Sequence, residues 1–597
     1  MRNKLTAGFA AVLLVVAAGC SSVAPITTAG SGQNGPNSTP SGASTSSGTS
    51  ASAGSSTASA GASSAPAGFQ SEHKGGTLKL LASGGGGTVD TQINYTNTFW
   101  QLFQNVYDGL VKFHFGVDGA ASDDVVPDLA TAMPKVTNDG KTYTFTLRQG
   151  IKFSNGQPVT VADVLATFQR LFKVSSPNAA SWYSVLVGAD ACLKTPASCT
   201  LDGGVVVDPT TNQVQFNLTK PDAEFIYQLA VPFAAIIPKD SPAHDVGSNA
   251  LPSTGPYMIK SYNPTTEMDL VRNPNFQVWA PEAQPEGYPD EIQYQFTLDA
   301  EAEVSAVENG QADWMFDPPP ADRLSEIGTK YANQVHVNPQ AAFWYVPLNT
   351  NLPPFNNIKA RQAINWAVDR NAVVQLFGGS VVAQPVCTIL PPGFPGHVDN
   401  CQYTKGGGTK WAAPDLAKAK ELVKESGTAG QEVTVIAENY ATAKSIGEYM
   451  QSLLNELGYK ANLKLLSENV EFTYIQNTNN KVQLSVTQWY QDYPAASDFL
   501  QVLLSCQSFH PGSDASINIA GFCDKSINTQ MDQAEALMVN DPTAGNALWS
   551  KVDQEMMAQS PIVPLFTPHI VDFLSPRVGN YHYSNVFFMC IDQLWVK

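Results

Sequence analysis

The stretch that most constrains this chain runs from Glu432 to Leu465. Glu432 to Ala437 reads as a strand. A helix capped by Thr442 then carries Ile446, Tyr449, Met450, Leu453, Leu454 and Leu457 at intervals of three and four up to Gly458, the spacing of one buried helix face. Tyr459 to Leu465 alternates again as a strand. Strand, helix and strand in succession make a βαβ unit, whose strands run parallel with a right-handed crossover. An α/β domain follows.

Val482 to Phe499, VQLSVTQWYQDYPAASDF, fits as a further strand of that sheet. Val482, Leu484 and Val486 alternate with Gln483, Ser485 and Thr487, the period of a half-buried strand. Pro494 stops the ladder, which leaves Trp489, Tyr490, Asp492 and Tyr493 at the strand's carboxyl end, where open α/β sheets place ligands. Spacing alone leaves two readings open: one wall of a binding cleft, or a turn with core aromatics in which Asp492 caps the next helix.

Around this unit, Ile358 to Phe377 reads as one helix, with Ala363, Ile364, Ala367 and Val368 inward and Gly378-Gly379 beyond its end. Asp415 to Glu425 reads as another, stopped near Gly427. Upstream, Gly75 to Leu81 is a strand. The glycine run Gly84 to Gly87 is a loop, because no G-K-[ST] follows to make a phosphate cradle. Phe99 to Leu110 is a helix ended by Gly109. Tyr143, Phe145 and Leu147 form a strand, Ile151 and Phe153 begin another, and Asn155-Gly156 turns. Thr160 with Asp163 starts a helix as a capping box. The hairpin Val205 to Leu218 completes an α+β subdomain over about 111–251. Two strands about Asn263-Pro264, a strand over Asp290 to Leu298 and a helix over Ala300 to Asn309 follow. His336 to Asn351 is a first crossing into a second domain, and Pro561 to Thr567 crosses back. The expected division is 75–340 for an N-terminal lobe, 341–562 for a second lobe and 563–597 for the return. A chain of 597 residues is long enough for more than one core.

The first twenty residues carry Arg2 and Lys4, an uncharged apolar run from Ala7 to Ala18, then Gly19-Cys20. That run is shorter than the roughly 20 residues a bilayer requires, so 1–20 reads as a secretory signal. It resembles a bacterial lipoprotein signal, in which the cysteine after a small-residue box is lipidated. The box here is Ala17-Ala18-Gly19-Cys20, with Ala17 where Leu is usual. Residues 21–74 are mostly Ser, Gly, Ala, Thr and Pro, almost wholly so to about Ser71 and uncharged until Glu72, a tether that cannot bury enough apolar surface to order itself.

Acidic residues outnumber basic ones, 52 to 34, for a net charge of −18, which disfavours nucleic acid and anionic lipid surfaces as partners. Export implies an oxidising compartment. Sequence does not determine disulfide connectivity, but six cysteines fall into local pairs, Cys192 with Cys199, Cys387 with Cys401 and Cys506 with Cys523. Cys590 is left as a buried thiol. No C-x-x-C, H-E-x-x-H or G-x-S-x-G is present and the eight histidines are scattered, so metal, redox and nucleophilic chemistry lack a motif. Asp492 and Asp498 are the one carboxylate pair that a glycosidase reading has to offer. No cofactor and no metal are expected.

Four blocks carry a resemblance. They are PDLA…YTFTLRQGIKFSNGQPVTVADV from Pro127 to Val164, STGPY at Ser253 to Tyr257, NLPPFNNIKARQAINWAVDR at Asn351 to Arg370, and WYQDYPAASDFL at Trp489 to Leu500. From Gly75 to its C-terminus the chain resembles the large two-lobed solute-binding proteins of bacterial ABC importers, the dipeptide- and oligopeptide-binding family (family 5). The resemblance implies an α/β, two-lobed periplasmic-binding-protein-like fold with an extra α+β subdomain in the N-terminal lobe. It implies that Gln488, Trp489 and Tyr490 run beside a peptide as a strand partner, that Asp492 pairs with its α-ammonium, and that Tyr493 lies in the same block. Asn97 and Thr98 fall where the other lobe's ligand strand would be. Arg361 and Arg370 match framework positions, and the absence of a clear equivalent of a fixed carboxylate-binding arginine favours ligands longer or more variable than dipeptides. The expected protein is a monomeric, non-enzymatic receptor, lipid-anchored at the outer face of the cell membrane, that delivers oligopeptides to an ABC permease and its ATPase. Alternatives are the same fold binding an oligosaccharide or metal chelate, and a secreted hydrolase.

Overall fold

Four sheets position the candidate site, and each follows from a local sequence pattern. The computed structural model describes residues 71–82, 87–116, 123–176, 178–296, 299–514 and 516–597. The signal over 1–20 with Cys20, nearly all of the tether over 21–74, and Gly84 to Gly86 lie outside them.

In chain order the relevant strands are β1 (Thr77–Leu81), β2 (Lys135–Thr137), β3 (Thr142–Thr146), β4 (Val205–Asp208), β5 (Gln213–Asn217), β6 (Tyr257–Asn263), β7 (Glu267–Arg272), β8 (Glu291–Gln295), β9 (Trp314–Met315), β10 (Val335–Pro339), β11 (Ala342–Pro347), β12 (Glu432–Glu438), β13 (Lys460–Leu466), β14 (Leu484–Ser485), β15 (Thr487–Tyr490) and β16 (Ile562–Phe573). The helices are α1 (Asn97–Phe103), α2 (Val161–Lys173), α3 (Ile358–Ala367), α4 (Arg370–Phe377), α5 (Leu416–Ser426), α6 (Ala441–Glu456), α7 (Glu468–Gln476) and α8 (Ser497–Leu504).

The βαβ unit forms as its pattern requires: β12 pairs parallel with β13 over seven residues, and β14 joins on the other edge, also parallel. Helix α6 packs Ile446, Met450, Leu453 and Leu454 into the apolar cluster beneath the sheet. It starts at Ala441 behind Tyr440, and no side-chain cap closes it, so Thr442 is inside the first turn and not its cap.

A first mixed sheet runs β9-β1-β8-β7-β6, a four-stranded antiparallel sheet runs β2-β3-β5-β4, and a crossing sheet runs β10-β16-β11-β15. The largest apolar cluster joins Leu78 and Leu80 of β1 to Phe145, Phe168 and Phe216 of the four-stranded unit and to Met589, Ile591 and Leu594 near the C-terminus. The last residues therefore complete a core begun at Thr77. Helix α2 opens on its capping box, with the Thr160 amide and hydroxyl both donating to Asp163 Oδ2, at 2.8 and 2.6 Å.

Four expectations are corrected. Helix α1 ends at Phe103, not Leu110, because strand-like partners take the carbonyls beyond it: the Gly255 amide donates to Val106 O and the Tyr257 amide to Asn105 O. Lys112 Nζ takes Gln104 O at 2.6 Å. Ile151 and Phe153 start no strand. The Phe153 amide donates to Gln157 O and the Val159 amide to Ile151 O, closing a tight loop, and Pro158 has no N–H to extend it. Ile358 to Phe377 is two helices, α3 and α4, since Asp369 accepts from the amides of Asn371 and Ala372 and caps the second. Val482 to Thr487 is not one strand. It is divided between β14 and β15, which belong to different sheets, and Ser485 and Thr487 are as buried as Leu484 and Val486.

The three cysteine pairs are disulfides in the structure, Cys192 with Cys199, Cys387 with Cys401 and Cys506 with Cys523; Cys590 is a buried thiol. Arg370 donates to the carbonyls of Val386 and Pro564, both at 2.8 Å, and Arg361 to those of Phe355 and Gln559. Both guanidiniums are spent on the framework. Among the described residues no helix is long and apolar enough to cross a membrane.

Candidate ligand-binding site

Strand β15 is the edge of its sheet: Thr487 to Tyr490 pair on one side with Tyr345 to Ala342 of β11. Such an edge presents alternate N–H and C=O groups outward. Along it Gln488 lies opposite Trp344, Trp489 opposite Phe343 and Tyr490 opposite Ala342. All three side chains are half-buried, and Gln488 Oε1 and Trp489 Nε1 have no hydrogen-bond partner.

Two residues past the strand, the half-buried Asp492 carboxyl meets the Tyr95 hydroxyl, which arrives from the segment before α1. Burial pushes Asp492 up to about 7, opposed by hydrogen bonds from Tyr95 and Asp498. The Asp492 amide donates to Asp498 Oδ2 at 2.9 Å. Asp498 is fully buried at the start of α8, with Oδ1 unpartnered, and burial followed by the Asp492 charge raises its carboxyl well above the usual range. Of the two carboxyls, one is half-open and one holds the turn. That is a poor arrangement for two glycosidase acids, which both have to reach a substrate.

Tyr493 is turned away from the strand and into the largest cluster, stacked on Tyr227 at 5.9 Å and edge-on to Trp182 at 5.7 Å. Ser497 Oγ donates to Glu224 Oε2 at 2.5 Å. Burial, with Glu535 and Asp222 nearby, lifts Glu224 to about 8. The turn from Asp492 to Ser497 is thus fastened to the part of the chain built around α1 and the four-stranded sheet. Asn97 and Thr98 open helix α1 and are not in a strand; Asn97 is exposed and Thr98 half-buried. The residue of this segment that reaches Asp492 is Tyr95. Sequence reasoning missed Tyr95, Trp182, Glu224 and Ser497 as site neighbours. Tyr95 stood two residues from a nominated pair, whereas Glu224 lies 273 positions from Ser497, beyond any local signal.

Among the described residues no group of three or more His, Cys, Asp or Glu side chains is placed to hold a metal ion. Residues 124–511, more than half of the chain, match the model of the bacterial extracellular solute-binding proteins, family 5 Middle. The chain belongs to this family. A similar curated relative is the glutathione-binding protein GsiB of Salmonella typhimurium, 28% identical over 485 residues, which cover 79% of this chain and 86% of that one. Among solved structures, the clavulanic acid biosynthesis oligopeptide binding protein 2 superposes with a TM-score of 0.78 at 22% identity, over 88% of this chain and 96% of that chain. The periplasmic binding protein DppA from Helicobacter pylori, in complex with the peptide STSA, gives 0.70 at 21% identity over 88% and 99%. The architecture of this family 5 protein is therefore the two-lobed periplasmic-binding-protein fold, and its class is that of the extracytoplasmic solute-binding proteins of ABC importers.

Proposed function

We propose that this protein captures oligopeptides along β15 and hands them to an ABC permease driven by its ATPase. The observation that carries this reading is an edge strand, Thr487 to Tyr490, ending two residues before a half-buried carboxylate. A peptide laid antiparallel or parallel on such an edge is held by main-chain hydrogen bonds that do not depend on its sequence. Its α-ammonium then meets Asp492, and Tyr95 orients that carboxylate. Gln488, Trp489 and Tyr490 contribute chiefly backbone, Tyr493 anchors the turn, and Asn97 and Thr98 line the opposite wall. The relatives named for glutathione and oligopeptide binding support a peptide class. The lipid anchor at Cys20 and the placement at the outer face of the membrane belong to the same proposal, on the N-terminal sequence, and the protein is taken to act as a monomer.

Asp492→Asn tests it. Losing one partner of a buried ion pair costs about 3–5 kcal/mol, a weakening of roughly two to three and a half orders of magnitude. Calorimetry should record that loss with an unchanged circular dichroism spectrum. An unaltered affinity removes Asp492 from the role.

A further inference from the structure

The hydrogen bond from Ser497 Oγ to Glu224 Oε2, 2.5 Å long, is buried on both sides, with Glu224 6% and Ser497 2% exposed. It lies where two cores meet. Tyr493 and Ala495, in the turn that presents Asp492, belong to the apolar cluster of β1 and the four-stranded sheet; Ala496, Phe499 and Leu500, just beyond them, belong to a separate cluster with Tyr345 of β11. Glu224 precedes the short helix Phe225–Gln228, whose Tyr227 stacks on Tyr493. Two polar contacts flank this one. Lys220 Nζ reaches Glu535 Oε2 at 3.7 Å, on α9 (Lys525–Met538), and Gln491 Nε2 donates to Asn585 O at 2.6 Å. Both flanking contacts are open to water, where such pairs contribute little.

What surrounds Glu224 is acidic. Asp222 lies two residues before it, Glu535 approaches from α9, and Asp498 adjoins Ser497; the charges of all three act on it or feel its own. Tyr227 and Tyr493 are the other titratable groups against it, and the nearby cation, Lys220, pairs with Glu535. Burial, then Glu535 and Asp222, lift the Glu224 carboxyl to about 8. Ionised in place it would be a buried anion among anions, whereas parting from Ser497 would return it to water and its ordinary range near 4.

We propose that Glu224 is a positioning residue for ligand capture: its hydrogen bond with Ser497 holds the Asp492 turn against the four-stranded subdomain and latches the two lobes over the ligand's amino end. With the lobes divided at residues 341 and 562, as the sequence suggests, the bond and both flanking contacts run from one lobe to the other. The latch rests on the peptide reading for what it closes over, and not for closure itself. The closed form keeps a proton on Glu224 that the open form releases above about pH 4, so closure weakens as pH rises to about 8 and is unchanged well beyond it. Glutamine at this position still offers Ser497 an acceptor and cannot titrate.

The test is a lobe-to-lobe distance in the empty, full-length protein, read by double electron–electron resonance between nitroxides at Val206→Cys and Val470→Cys, both 46% exposed. The wild type should show a short distance at pH 6, and the ratio of short to long should fall about tenfold between pH 7 and pH 9. Glu224→Gln should hold the short distance throughout, and Glu224→Ala should show the long one already at pH 6. A wild-type distance that ignores pH overturns the latch, as does a Glu224→Gln protein that opens like the wild type. Where Glu224→Ala fails to fold, the comparison of wild type with Glu224→Gln decides. Calorimetry with pentaalanine at pH 6 then tests positioning: binding to Glu224→Ala should weaken in proportion to its open fraction, and an undiminished affinity in an open variant overturns the role. If no peptide binds, the peptide reading fails by itself, and the distances alone decide the latch.

Discussion

The amide of Asp492 donates to Asp498 Oδ2 at 2.9 Å, so a fully buried carboxyl fixes the turn that presents its half-open neighbour. Asp498→Asn keeps an acceptor for that amide and removes the carboxyl whose hydrogen bond holds Asp492 down. The fold should persist, the Asp492 carboxyl should titrate higher, and peptide affinity should fall off at a less acidic pH than in the wild type. Asp498→Ala leaves the amide without its acceptor and should cost about 1–3 kcal/mol of stability. Chemical denaturation and pH-resolved calorimetry separate the two.

Peptide affinity should depend on pH through Asp492 itself. With the group near 7 when the site is empty, binding an ammonium requires its ionised form. Below that pH a proton must leave for the peptide to bind, and affinity should fall by up to tenfold per pH unit. Above about pH 8 the peptide's own α-amino group loses its proton, so the profile should peak between. A flat profile from pH 5 to 7 contradicts the pairing.

The edge strand makes a prediction with a period of two. N-methylation of a bound peptide at positions whose N–H faces β15 removes a main-chain hydrogen bond worth about 1 kcal/mol and adds a clash. Positions between them face away and should tolerate the methyl group. An N-methyl scan should alternate between strong loss and little change. Uniform tolerance would rule out strand pairing.

The empty protein should lose stability as pH rises. Burial lifts Glu224 and Glu471 to about 8, and Asp492 and Asp592 to about 7, against about 4 in an unfolded chain. Between these values the folded state holds more protons than the unfolded one, so the contribution of these groups is largest near pH 4–5. It declines as pH climbs to about 8 and is flat beyond. Scanning calorimetry should give a lower Tm at pH 8 than at pH 5.5, and an equal or higher one contradicts it.

Local pattern determined a great deal here. The parallel pairing of Glu432–Glu438 with Lys460–Leu466, the hairpins over Val205 to Leu218 and about Asn263-Pro264, and the Thr160–Asp163 box were all legible, because helix and strand periods and caps are set by neighbours in sequence. Tertiary structure decided the remainder. It ended α1 early by giving its following carbonyls to the segment at Gly255 and Tyr257, and it split one apparent strand between two sheets by burying Ser485 and Thr487 along with their apolar neighbours. It also turned Tyr493 into a distant core and brought Tyr95 to Asp492 and Glu224 to Ser497. Periodicity reports which side of an element is apolar; which residues meet across hundreds of positions depends on how those apolar sides pack, and only the folded chain contains that.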